Sequence, residues 1–132
     1  MRIISGKFKG KKMSYLNSSK TRPLRDYVRE NIFNIILHGK NTKINLEKKK
    51  ILDLYSGIGS FGIECLSRDV KKVVFVEKDP LAFSILKKNI NDLKLSNKTK
   101  LVSQDIKYYI GKFNNGEKFD LIFLDPPYKD TA

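Results

Sequence analysis

Between Ile51 and Leu124, short apolar runs alternate with stretches whose apolar residues return every three or four positions. The two periods separate strand from helix. They predict strands at Ile51–Tyr55, Lys72–Glu77, Lys100–Ser103 and Phe119–Leu124, and helices at Ser60–Arg68, Pro80–Leu93 and Ile106–Gly111. The Pro80–Leu93 stretch carries Leu81, Ile85, Leu86, Ile90 and Leu93 on one face. Strands joined through helices pair in parallel by right-handed crossovers. The expected fold is therefore α/β, a doubly wound and mainly parallel sheet. Such folds bind ligands beyond the carboxyl ends of their strands, and every motif below falls at one of those ends.

The chain is 132 residues long, enough for one domain. It divides into a basic extension, residues 1–48, and a core, residues 49–132. Residues 1–50 hold 14 Lys/Arg against 3 Asp/Glu, while residues 51–132 hold 13 against 11. A compositional bias toward lysine would charge both parts alike, so the imbalance points to a polyanionic partner at the amino-terminal end. Arg2–Ser5 and Lys12–Leu16 read as β-prone pieces of a hairpin or arm around Gly6 to Gly10. Arg25–Leu37 reads as a helix with Val28, Ile32, Phe33, Ile35 and Ile36 at helical spacing, Pro23 ahead of it and Gly39 behind, which leaves Arg25 and Arg29 on its polar side. One cysteine, Cys65, excludes an internal disulfide and gives too few soft ligands for zinc. No apolar run reaches the roughly 18 residues of a membrane span, and Met1-Arg2-Ile3-Ile4-Ser5-Gly6-Lys7 does not read as a leader. The expectation is a monomeric cytoplasmic protein with no membrane partner and no metal.

Asp53-Leu54-Tyr55-Ser56-Gly57-Ile58-Gly59-Ser60-Phe61-Gly62 follows the first core strand and opens a helix. Its glycines suit a tight turn that brings backbone close to a cofactor. With Glu77 twenty positions beyond Gly57, the pattern also matches a dinucleotide fingerprint, so an NAD enzyme is an alternative. In that fingerprint the first glycine comes directly off the strand, whereas Asp53-Leu54-Tyr55-Ser56 intervenes here. Asp53 would repel a diphosphate and suits a cation such as a sulfonium amino acid.

Glu77-Lys78-Asp79-Pro80 ends the second strand. Asp79 before Pro80 reads as a helix cap, leaving the Glu77 carboxylate to accept both hydroxyls of a ribose. Asp105 follows the third strand and fits two compatible roles, N-cap of the next helix or acceptor for an adenine amino group, with Ile106 packing nearby.

Asp125-Pro126-Pro127-Tyr128 follows the fourth strand. Two prolines fix the turn and give up their backbone donors, so the Asp125 carboxylate and a proline carbonyl become acceptors aimed alike. An exocyclic amine presents two N–H donors to such a pair, and Tyr128 can stack on the base. A base reaching this pocket must be unpaired or flipped out.

These motifs resemble class I methyltransferases. Arg2-Ile3-Ile4-Ser5-Gly6-Lys7-Phe8-Lys9-Gly10, Thr21-Arg22-Pro23, Val28-Arg29-Glu30 and Phe33-Asn34 further resemble the RsmD family of 16S rRNA guanine-N2 methyltransferases. The resemblance implies a Rossmann-like fold and S-adenosylmethionine as cofactor, held by Asp53, Tyr55, Ser56, Gly57, Gly59, Glu77, Lys78, Asp105 and Ile106. Asp125, Pro126, Pro127 and Tyr128 would hold the guanine amine, and Lys7, Lys9, Arg22, Arg25 and Arg29 would meet phosphates of 16S rRNA or the small ribosomal subunit. Leu24 departs from the small hydroxyl residue expected after Thr-Arg-Pro.

Leu121–Leu124 is an unbroken apolar run, the mark of a strand buried on both faces. Members of the family continue beyond Asp-Pro-Pro-Tyr, so the reading expects a core truncated after its fourth strand and lacking one wall of the base pocket. Three outcomes stay open: an rRNA methyltransferase, a DNA adenine or cytosine amino methyltransferase, and a non-catalytic RNA- or cofactor-binding remnant.

Overall fold

A computed structural model describes residues 1–15, 26–41, 43–112 and 117–126. Helix α1 spans Asp26–His38, strand β1 Lys50–Leu54, helix α2 Ser60–Ser67, strand β2 Lys72–Val76 and helix α3 Pro80–Asp92. A 3-10 turn at Ser96–Lys98 leads into β3, Thr99–Val102, followed by α4, Ile106–Gly111, and β4, Leu121–Leu124. All three strand pairings are parallel and the order is β3-β2-β1-β4. The chain moves outward from β1 to β3, then returns to the far side of β1. Right-handed crossovers therefore put α2 and α3 on one face and α4 on the other, and the reversal lies between β1 and β4.

Strand alternation sorts the core. Ile51, Val73, Phe75, Leu121 and Phe123 face the larger cluster, which contains Phe61, Ile63, Cys65 and Leu66 of α2, Leu86 and Ile90 of α3, and Phe33 of α1. Leu52, Leu54, Val74 and Val76 face Ile106 and Tyr109 of α4. Three rings, Phe33, Phe61 and Phe123, stack in sequence at centroid separations of 5.1 and 3.8 Å, joining α1, α2 and β4.

The first 15 residues share this core. Ile3 and Met13 are buried in the larger cluster. Around them the chain closes as a hairpin, in which Arg2 bridges Lys12 antiparallel, Ile3 N–H donates to the Lys11 carbonyl and Gly10 N–H to the Ile3 carbonyl. At Gly6, with φ 87°, an added Cβ would lie 2.0 Å from the Ser67 carbonyl oxygen, so only glycine lets the hairpin sit on the end of α2.

Among the described residues β4 is covered on one face. Leu121 and Phe123 are covered, but Ile122 is 54% and Leu124 60% exposed. Their register partners Leu52 and Leu54 lie on the same face under α4, which among the described residues stops short of β4. Asp120 holds the start of this strand, its carboxylate accepting from the Lys50 amide at 2.8 Å. No helix among the described residues is long and apolar enough to cross a membrane.

Candidate active site

Tyr55 leaves β1 with φ 56°, a left-handed conformation strained for a residue with a side chain. Ser56 holds it there. The Ser56 amide donates to the Val76 carbonyl at 3.0 Å, its hydroxyl donates to the Asp53 carbonyl at 2.6 Å, and the hydroxyl oxygen accepts from the Val76 amide at 3.0 Å. Ser56 thus builds the loop by bridging the ends of β1 and β2. Behind the loop, a Cβ on Gly62 would lie 2.2 Å from the Phe75 ring, so α2 packs on the sheet at a distance no side chain permits there. In front, no atom of the described residues lies within 4 Å of where a Gly57 Cβ would stand, so this side of the loop is open.

Glu77 is not the free carboxylate that the motif implied. One oxygen accepts from the Gly57 amide at 2.8 Å and the other from the Asp79 amide at 2.8 Å. The carboxylate clasps the glycine loop to the loop after β2, and each oxygen retains a second lone pair for a ligand hydroxyl. Asp79 caps α3, accepting from the Ala82 amide at 2.9 Å, with Pro80 at the first helical position.

Asp53 is buried at the end of β1, where one oxygen accepts from the Gly62 amide at 3.2 Å. Burial pushes its pKa well above the ordinary carboxylate value. The Gly62 bond opposes that rise, and the charges of Asp125 and Glu77 add to it. Asp125 lies just past β4, whose Leu124 pairs with Leu54, and desolvation raises its pKa as well, although the residue is more exposed. Asp53 beneath the loop thus feels the charges of Glu77 and Asp125, a mutual repulsion that a cationic ligand relieves.

Asp105 caps α4, its carboxylate accepting from the Lys107 amide at 2.9 Å, and stays exposed. Lys78 reaches it at 3.7 Å in a solvent-facing ion pair. Ile106 is buried against the sheet beneath α4. Pro126 is exposed beside Asp125, and Pro127 and Tyr128 lie outside the described residues.

Of the expected phosphate contacts, Arg22 and Arg25 also lie outside the described residues, and Lys7 and Lys9 are exposed in the hairpin turn. Lys7 donates its amide to the Ser67 carbonyl at 2.7 Å, which sets this turn at the far end of α2 from the glycine loop. Arg29 is a correction. It is 0% exposed, its Nε is 3.6 Å from the buried Glu64 carboxylate, and its Nη2 donates to the Arg2 carbonyl. The guanidinium is spent inside the fold, where the apolar face of α1 and the hairpin enclose it.

Two residues escaped the motif reading. Glu64 accepts from the Ile4 amide at 2.9 Å, the Ser5 amide at 3.1 Å and Arg68 Nε at 3.1 Å. Asn89 lies buried on α3 against both the hairpin and the glycine loop. Each is a polar residue at an apolar position of its helix, and that mismatch is a signal in the sequence.

The family described as conserved hypothetical protein 95 matches this chain over residues 1–132. The chain belongs to that family. It is similar to ribosomal RNA small subunit methyltransferase D of Haemophilus influenzae, 37% identical over 129 residues that cover 97% of this chain and 64% of that protein. It is also similar to the putative rRNA methyltransferase YlbH of Bacillus subtilis, 36% identical over 131 residues, 98% of this chain and 68% of that one. Among solved structures, the putative methyltransferase yhhF from Escherichia coli superposes with a TM-score of 0.81 at 27% identity, over 99% of this chain and 66% of that one. The chain spans about two thirds of the length of these relatives. Membership agrees with the RsmD resemblance of the amino-terminal motifs. Relatives named as methyltransferases on this fold imply S-adenosylmethionine, and the open side of Gly57, the remaining lone pairs of Glu77 and the carboxylate field around Asp53 fit that cation.

Proposed function

We propose that this chain carries the cofactor- and base-binding elements of an S-adenosylmethionine-dependent methyltransferase that modifies the exocyclic N2 amine of a guanine in 16S rRNA. The observation that carries the reading is the placement of Asp53, Glu77, Asp105 and Asp125 at the carboxyl ends of four adjacent parallel strands, the same end as the glycine loop that Glu77 holds.

S-adenosylmethionine, when bound, supplies a methyl group already activated by its sulfonium. The chain's own residues then have to position and desolvate rather than activate. Asp53 and Asp125 give the loop mouth the negative potential that holds a cation. Glu77 and Asp105 offer acceptors to a ribose and an adenine amino group, with Tyr55, Ser56, Gly57, Gly59, Lys78 and Ile106 shaping the cleft. The Asp125 carboxylate and the Pro126 carbonyl accept the two N–H groups of the guanine amine. Desolvation gives Asp125 a raised proton affinity, which suits the oxygen that receives a proton as nitrogen gains its methyl group. Tyr128 stacks on the base beside Pro127, while Lys7, Lys9, Arg22 and Arg25 meet phosphates, which position the RNA without reading its sequence.

Calorimetric titration with S-adenosylmethionine tests the cofactor half, and transfer of labelled methyl to small-subunit particles or free 16S rRNA tests the rest. Binding that Asp53→Asn weakens, followed by label in guanine N2, is the expected result. Absence of binding overturns the cofactor assignment, and label in DNA but not RNA overturns the substrate.

A further inference from the structure

Asn89 is 2% exposed on α3 and touches two segments that are far apart in sequence. Its Oδ1 accepts from the Ser14 amide at 2.8 Å and its Nδ2 donates to the Ser14 carbonyl at 3.0 Å, so the amide pairs with the Ser14 backbone as a neighbouring strand would. Nδ2 also donates to the Ile58 carbonyl at 3.1 Å, between the two loop glycines. Both Nδ2 hydrogens and an Oδ1 lone pair are engaged, a set of two donors and an acceptor that only a planar amide head supplies. Lys88, one residue earlier, reaches the Ser14 hydroxyl at 3.2 Å from the solvent side. Ser14 and Tyr15 lead into the segment that carries Arg22 and Arg25.

We infer that Asn89 is a positioning residue that couples the glycine loop to the amino-terminal segment at Ser14, so that whatever seats one of them seats the other. The Asn89 head is the one side chain among the described residues that bonds both Ser14 and the glycine loop. Displacing the Ile58 carbonyl leaves an Nδ2 hydrogen unsatisfied in a buried place, and releasing Ser14 leaves two more groups without partners. The low-energy arrangements are therefore those with both segments seated or both released. On the proposed reading, cofactor in the loop and RNA on the amino-terminal segment would help one another bind, a reciprocal effect by linkage. The coupling itself rests only on the three hydrogen bonds.

Amide hydrogen exchange on the full chain tests it with three variants, Asn89→Leu, Ser14→Pro and the two combined. Loss of one buried hydrogen bond predicts about three- to tenfold faster exchange in the segment it holds. Ser14→Pro is expected to speed exchange at the Gly57 and Gly59 amides by that factor. In the Asn89→Leu background it is expected to add nothing further at those amides, a non-additivity that a purely local structural role does not produce. Unchanged exchange at Gly57 and Gly59 in Ser14→Pro, or additive effects in the combined variant, overturns the coupling. Wild-type protein with S-adenosylmethionine gives a check that needs no substitution: exchange at the Ser14 amide should slow when the ligand binds, and binding without that slowing also overturns the coupling. Failure of the ligand to bind counts against the proposed function alone, since the variant comparison still decides the coupling.

Discussion

The core is flanked by the amino-terminal hairpin, packed on the far end of α2, and by β4, paired with β1, and the two are attached with different balances of polar and apolar contact. The hairpin is held by polar groups: Glu64 takes the Ile4 and Ser5 amides, Arg29 takes the Arg2 carbonyl, and Ser67 Oγ donates to the Ser5 carbonyl at 2.6 Å. β4 is held by backbone pairing to β1 and by the Phe123 ring stacked on Phe61, while its other face stays open. Basic composition therefore does not make a segment a loose arm. What decides is whether each polar group finds a partner and each apolar face a cover.

The largest expected effect tests the hairpin side. Glu64→Ala removes a buried carboxylate from beside Arg29 and leaves the Ile4 and Ser5 amides without this acceptor. Removing one partner of a buried pair destabilises by about 3–5 kcal/mol, read as a lower urea midpoint with the slope unchanged. A midpoint shift near zero would mean that the Glu64 bonds do not hold the hairpin, leaving that to Ile3, Met13 and the Ser67 contacts.

Gly6→Ala comes next. Its Cβ meets the Ser67 backbone and its φ is unfavourable for alanine. Strain and overpacking of this kind cost roughly 1–3 kcal/mol. Limited proteolysis should then cut within residues 1–15 faster while the sheet survives. Equal loss throughout the molecule would show that hairpin and sheet unfold as one unit.

Asp53→Asn carries the comparison to the glycine loop. Burial raises the Asp53 pKa, so in the free protein its contribution to stability is full below the unfolded carboxylate value and is lost as pH rises through the raised folded one. The asparagine variant should be more stable than wild type at neutral pH, with a flatter dependence across that window. Because a cation binds the ionised form, wild-type affinity for S-adenosylmethionine should fall on acidification through the same window. The variant should bind about tenfold or more weakly at neutral pH, matching loss of one charge-assisted contact. Calorimetry and thermal melts across pH separate the two effects.

Ile122→Ser is the smallest. The side chain is 54% exposed, and exposed substitutions usually stay within about 0.5 kcal/mol. A clearly lower melting temperature would show that this face of β4 is covered in solution.

The sheet and its helices were legible because periodicity is a local property, and the Asp79-Pro80 helix start was legible because a cap is written in adjacent residues. The site motifs were legible as positions but not as bonds. Nothing near Glu77 in sequence reveals that Gly57 already occupies one of its oxygens. Arg29 was misplaced because its partners, Glu64 and Arg2, come from other elements. Glu64 gave the clearest overlooked hint, a lone carboxylate in a helix whose eight residues are all buried. Asn89 gave another, sharing the core-facing row of α3 with Ala82, Leu86 and Ile90.

The Glu77 clasp has a consequence for the kinetics of ligand capture. Since Gly57 and Asp79 are tethered to one carboxylate within the folded chain, much of the entropy of shaping the loop is surrendered during folding rather than at encounter. Association should then be limited by diffusion into the cleft and little by rearrangement, so that loosening the clasp would appear in the on-rate before it appeared anywhere else.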